Sequence, residues 1–132
     1  MSAVLDTHAA IWYVFARKRL SNDALQAIRR IIDSGSPVYI SAISLVETIY
    51  LTERGRIPLK AMQSLEDALR DPASGMLVVP LDEEVVQFVH EVPRDVVPEM
   101  PDRIIAATAL HLNLPLVTRD QRLQSSQIKT IW

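Results

Sequence analysis

The feature that most constrains this chain is its alternation of short apolar, β-branched runs with amphipathic helical stretches. Val4-Leu5, Val38-Tyr39-Ile40, Met76–Leu81 and Leu116-Val117-Thr118 read as strands, with Ile128–Trp132 as a last one. Such alternation argues for a parallel sheet covered on both faces by helices, joined by right-handed crossovers. The 132 residues are read as one domain, residues 1–132, long enough to bury roughly two-thirds of the unfolded surface.

The helices have recognisable faces and ends. Ile11, Trp12, Phe15 and Ala16 mark the first, with Trp12 and Phe15 expected in the core. Ser21 caps the second, where Leu25, Ile28 and Ile32 form the buried stripe and Ser34–Pro37 makes the stop. A third helix opens at Ser44, which stands to Glu47 in the spacing of a capping box. Pro58 opens a fourth, carried by Leu59, Met62, Leu65 and Leu69, and Asp82 caps a fifth. Pro93, Pro98 and Pro101 mark a loop. Beyond it Asp102–Leu110 is a helix whose small residues allow close packing, with Asn113 as a left-handed stop.

In a parallel sheet ligands bind at the carboxyl ends of the strands. Asp6 directly follows the first strand, and Glu47, Asp102 and Asp120 fall at strand ends or first helical turns on that same edge. Each has a local explanation: Asp6 as a helix cap, Glu47 as the return half of a capping box. Gathered together, ionised carboxylates repel, and a hard divalent ion such as Mg²⁺ or Mn²⁺ relieves them. The chemistry of such a centre is phosphodiester hydrolysis, which needs no nucleophilic side chain.

Competing chemistries lack their motifs. No glycine-rich phosphate loop and no G-x-S-x-G nucleophile elbow is present, and His8, His90 and His111 lack zinc spacing. An aspartyl-phosphate enzyme would want an acidic residue two places after Asp6, where His8 stands. His8 is read as helix surface beside the site. The absence of cysteine excludes disulfides and thiolate metal centres and suits a reducing, cytoplasmic setting. No apolar run is long enough for a membrane span, and Asp6 comes too early for a secretory leader. The formal net charge of −2 is the wrong sign for holding nucleic acid by bulk electrostatics.

Four segments in order, Val-Leu-Asp6-Thr7-His8, Ser41-Ala-Ile-Ser44-Leu-Val-Glu47, Pro101-Asp102-Arg103-Ile-Ile-Ala-Ala-Thr-Ala109 and Leu116-Val-Thr118-Arg119-Asp120, resemble a PIN-domain ribonuclease, most nearly a VapC-type toxin of a type II toxin–antitoxin system. The resemblance implies a three-layer α/β/α fold with a central parallel sheet of four to five strands. It also implies Mg²⁺- or Mn²⁺-dependent endoribonuclease activity. Asp6, Glu47, Asp102 and Asp120 match the family's acidic, metal-holding site, and Thr118 matches its supporting hydroxyl. Glu99 stands where these toxins commonly carry Asp, and Arg103 matches a basic residue that contacts substrate or orients the site by ion pairing. Implied partners are structured RNA, often transfer RNA, a VapB-type antitoxin that fills the groove, and a second copy in a homodimer. Arg17, Lys18, Arg19, Arg54, Arg56 and Arg119 are candidates for holding phosphates around the acidic pocket. The alternative is the same fold as a catalytically weak RNA- or protein-binding module.

Overall fold

A computed structural model describes Met1–Trp132. The chain runs β1 (Ala3–Leu5), α1 (Thr7–Phe15), a 3₁₀ turn at Arg17–Arg19, α2 (Asn22–Asp33), β2 (Val38–Ser41), α3 (Ala42–Glu53) and α4 (Leu59–Arg70). After a second 3₁₀ turn at Pro72–Ser74 come β3 (Met76–Val79), α5 (Glu83–Val89), α6 (Met100–Leu112), β4 (Leu116–Val117), α7 (Gln121–Gln124) and β5 (Thr130–Ile131).

All five strands are parallel, in the order β3-β2-β1-β4-β5. The chain builds outward from β1 to β3, then returns to the other side of β1 for β4 and β5. The boundary between β1 and β4 is therefore the switch point, where an open parallel sheet leaves a crevice at its carboxyl edge. Register places Leu5 beside Val117, so Asp6 and Thr118 emerge side by side at that crevice.

Side chains alternate across the pleat and feed two cores. Ala3, Leu5, Val38, Ile40 and Val117 face α1, α2 and α4, whereas Val4 and Leu116 face Val92, Ile105, Ala109, Leu123 and Ile128. Three layers result, as expected from the family resemblance. Ala106, Ala107 and Ala109 are buried, and their small side chains let α6 lie close to the sheet. Asn113 ends α6 in the left-handed conformation, at φ 53°.

Several expected details change with tertiary context. Phe15 is 41% exposed, because α1 breaks at Ala16 and its last turn leaves the sheet, while Trp12 stays buried. In α2 the fully buried residues are Ala24, Ile28 and Ile31, with Leu25 and Ile32 at the margin: the sheet-facing stripe is rotated by one position. The third strand stops at Val79, before Pro80 and Leu81, and Leu77 and Val78 are exposed because β3 is an edge.

Candidate active site

The carboxyl edge collects Asp6, Glu47, Asp102 and Asp120 into one cleft of about 650 Å³, whose only hydrophobic lining residue is Trp12. Three routes bring them there. Asp6 is the first residue past the central strand. Asp120 lies two residues past Thr118 on the loop after β4. Glu47 and Asp102 sit on helices that run antiparallel to the strands and so begin at the carboxyl edge.

Asp6 is both cap and site residue. Its Oδ1 accepts the Ala9 N–H at 2.8 Å, and its Oδ2 accepts the Thr118 hydroxyl at 2.5 Å. Burial raises the Asp6 carboxyl above its ordinary range, and Asp120 adds to this; the bonds from Thr118 and Ala9, and the nearness of His8, act in the opposite direction. Thr118 is fully buried and also accepts the Asp120 N–H at 3.0 Å. One hydroxyl therefore joins the carboxylate after β1 to the loop after β4. Asp120 caps α7, its Oδ1 taking the Arg122 N–H at 2.8 Å.

Glu47 is not half of a capping box. The cap of α3 is Ser41, whose Oγ accepts the Ile43 N–H at 3.2 Å, so Ser44 already lies within the first turn and is buried. The extra turn carries Glu47 into the cleft. Thr7 Oγ1 lies 2.5 Å from Glu47 Oε1 and 2.9 Å from Ser44 Oγ. A hydroxyl has one proton to give, and a carboxylate is the stronger acceptor, so Thr7 donates to Glu47 and the Ser44 hydroxyl supplies the proton of the other contact. Sequence reasoning leaves open whether Thr7 only begins a helix or helps arrange the site, and it does not single out Ser44 as a site residue. Their signal is a hydroxyl next to Asp6 and another three places before Glu47, both of which local rules assign to helix starts.

Asp102 is the least compensated of the four. Burial, followed by the charges of Asp120, Glu47, Asp6 and Glu99, pushes its carboxyl up to about 6, and no hydrogen bond opposes the rise. Glu99 itself is exposed at the start of α6, with no capping bond from its side chain.

Arg103 makes no ion pair with the carboxylates of the cleft. Its guanidinium turns from the cleft and donates to the carbonyls of Val92 (2.9 and 3.1 Å) and Val89 (3.1 Å). The Val89 carbonyl, at the end of α5, also takes the Val92 N–H at 3.1 Å, whereas the Val92 carbonyl lies past the helix, and a cation there answers the helix dipole. Arg103 ties α5 to α6. His8 lines the cleft, with its ring 5.5 Å from that of Trp12.

The donor set is made of hard oxygens with excess negative charge, which suits a divalent cation. No three acidic or histidine side chains form a ready-made chelating group. Mg²⁺ does not require one, since it keeps several waters and takes one or two carboxylates directly.

Residues 3–127 match the PIN domain family. Ribonuclease VapC22 of Mycobacterium tuberculosis is 32% identical over 134 aligned residues, which cover 99% of this chain and 98% of that protein. Among solved structures, VapBC2 from Rickettsia felis, bound to a DNA fragment from its promoter, superimposes with a TM-score of 0.74 at 15% identity, covering 98% of this chain and 97% of that one. FitAcB from Neisseria gonorrhoeae gives 0.60 at 24% identity, covering 98% and 96%. A toxin–antitoxin complex from Klebsiella pneumoniae gives 0.65 at 20%, with 98% and 96% covered.

Proposed function

The chain belongs to the PIN-domain family, and from that premise we propose that it is a Mg²⁺- or Mn²⁺-dependent endoribonuclease, the toxin of a toxin–antitoxin pair. The observation that carries this reading is the meeting of Asp6, Glu47, Asp102 and Asp120 in one cleft at the switch point, with Asp102 raised and unrelieved. The whole-length similarity to a protein named as a ribonuclease supports RNA as the polymer cut.

In this reading the four carboxylates hold the cation. A bound cation would polarise a phosphoryl oxygen and offset the charge that builds up as water attacks phosphorus and the leaving oxygen departs. The chain's own contribution is positioning. Thr118 and the Ala9 N–H fix both oxygens of Asp6, leaving lone pairs directed at the cleft, and Thr7 fixes Glu47. The rigid sheet edge sets Asp6 against Asp120 through the single Thr118 hydroxyl.

Toxin–antitoxin complexes among the structural neighbours support a VapB-type antitoxin as partner. The family resemblance supports a homodimer and a structured RNA substrate cut in a single-stranded loop, with transfer RNA the first to try. The test is cleavage of cellular RNA by the wild type and by Asp6→Asn and Asp102→Asn. Loss in both variants, with unchanged circular dichroism and a requirement for Mg²⁺ or Mn²⁺ in the wild type, is expected. Equal cleavage by wild type and both variants would overturn the assignment.

A further inference from the structure

Arg119 is the only arginine or lysine lining the acidic cleft, yet it pairs with none of the four carboxylates around it. Its guanidinium lies over the Trp12 indole, 5.4 Å from the ring centroid. Arg19 sits on the same indole at 5.8 Å and is likewise without an acidic partner. Trp12 is buried, wedged between His8 and Trp132 with ring centroids at 5.5 and 5.9 Å, so its position is fixed by packing. Both arginines are exposed.

Coulomb attraction should draw a guanidinium next to Asp120 onto the carboxylates, where it would neutralise the charge a cation needs. The indole offers it a competing site, since an arginine within about 6 Å of a Trp face is held by the ring quadrupole. Not every basic side chain here is so placed. Arg17 donates to the Tyr13 carbonyl at 2.8 Å and lies over that residue's own ring, so it is tied back to its helix.

We propose that Trp12 is a positioning residue, a shelf that holds Arg119 off the carboxylates and, with Arg19 on the same ring, presents a clamp for RNA phosphates beside the scissile one. This rests on the reading of the cleft as a metal-dependent ribonuclease site and adds to it the location of the flanking backbone. Arginine suits the task, because its planar fork binds phosphate oxygens in pairs while its face stays stacked.

Two measurements test it. The first is steady-state cleavage of a single-stranded RNA oligonucleotide over a salt series. Arg119→Ala is expected to raise KM roughly tenfold with kcat little changed, and to lower the salt slope by ~0.7, the value for one phosphate that is no longer neutralised. The second is Mn²⁺ binding followed by electron paramagnetic resonance, without RNA. Trp12→Leu is expected to weaken Mn²⁺ binding, because the released Arg119 settles on the carboxylates. Adding Arg119→Ala to Trp12→Leu should restore it, and Trp12→Phe, which keeps a ring, should fall between. A purely structural loss in Trp12→Leu would not be repaired by deleting Arg119. Unchanged KM and salt slope in Arg119→Ala, or no restoration of Mn²⁺ binding in the double variant, would overturn the proposal. Absence of RNA cleavage by the wild type would instead overturn the ribonuclease reading, and the Mn²⁺ series would still decide whether the shelf exists.

Discussion

Thr118 and Asp6 stand 112 residues apart in the chain and meet at 2.5 Å, hydroxyl to carboxylate, across the seam between β4 and β1. The same oxygen accepts the Asp120 N–H, so a buried side chain couples two of the four acidic residues to the sheet. Thr118→Val keeps the shape and removes both bonds. It is expected to cost about 1–3 kcal/mol of stability, from the orphaned N–H and the unrelieved carboxylate. It should also raise the Asp6 carboxyl further, because one of the bonds holding it down is gone. Urea melts and the pH dependence of RNA cleavage check this, and Thr118→Ser should recover most of both.

Asp102 predicts how stability follows pH. Folding moves its carboxyl from 3.8 up to about 6, so within that window the folded state keeps a proton that the unfolded chain has released. Stability therefore falls as pH rises through the window and stays at the lower level above it. Asp6, also raised, adds to the same trend. Thermal melts in EDTA should show wild type losing stability from acid to neutral pH, and Asp102→Asn should flatten that decline and exceed wild type at neutral pH. Wild type that gained stability over the same range would contradict the clustering of charge.

A cation that binds only the folded cleft reverses this penalty. At Mg²⁺ about a hundred times its Kd the gain is about 2.7 kcal/mol by mass action, and it should be largest once Asp102 is ionised. Melts with and without Mg²⁺ should separate in wild type and nearly coincide in Asp6→Asn and Asp102→Asn. Equal gains in all three proteins would place the ion elsewhere.

The parts of this design legible in the sequence are those set by local pattern. Apolar runs at Val4, Val38 and Leu116, separated by helical stretches, suffice to give a parallel sheet, and Asp6, Glu47, Asp102 and Asp120 then fall on one edge. Local pattern also misleads. Ser44 and Glu47 have the spacing of a capping box, but Ser41 has already ended the strand and capped the helix, and only the contact with Thr7 from another element shows where Ser44 and Glu47 point. Phe15 sits at helical spacing with Trp12, but α1 is too short to bury it. Strand order and the fate of Arg103 depend on which elements become neighbours, which no window of residues contains.

Arg103 is expected to matter for the fold and not for the substrate. Its three hydrogen bonds all go to the carbonyls of Val89 and Val92. Arg103→Met keeps the aliphatic stem and leaves those carbonyls without their charged donor. Its cost should be about 1–3 kcal/mol in a denaturant melt, with the KM for RNA unchanged at a temperature where the variant is folded. A raised KM with unaltered stability would return Arg103 to the substrate.

Thr7 carries the last prediction, because it separates holding a carboxylate from being one. Its hydroxyl is buried, donates to Glu47 Oε1 and packs against Ser44 Oγ. In Thr7→Val the backbone of α1 and the Asp6 cap from Ala9 remain, since neither uses the hydroxyl. Glu47 loses the donor that fixes its rotamer, and Ser44 loses its neighbour at 2.9 Å. In the proposed reading RNA phosphates are held at Arg119 and Arg19, so ground-state binding should be kept. The expected result is a fall in kcat of about tenfold, the effect of releasing a residue that orients a metal-holding group, with KM little moved. Thr7→Ser, which restores the donor, should recover most of the loss. A raised KM with kcat intact would mean that Thr7 touches the substrate directly and that Glu47 is held by something else.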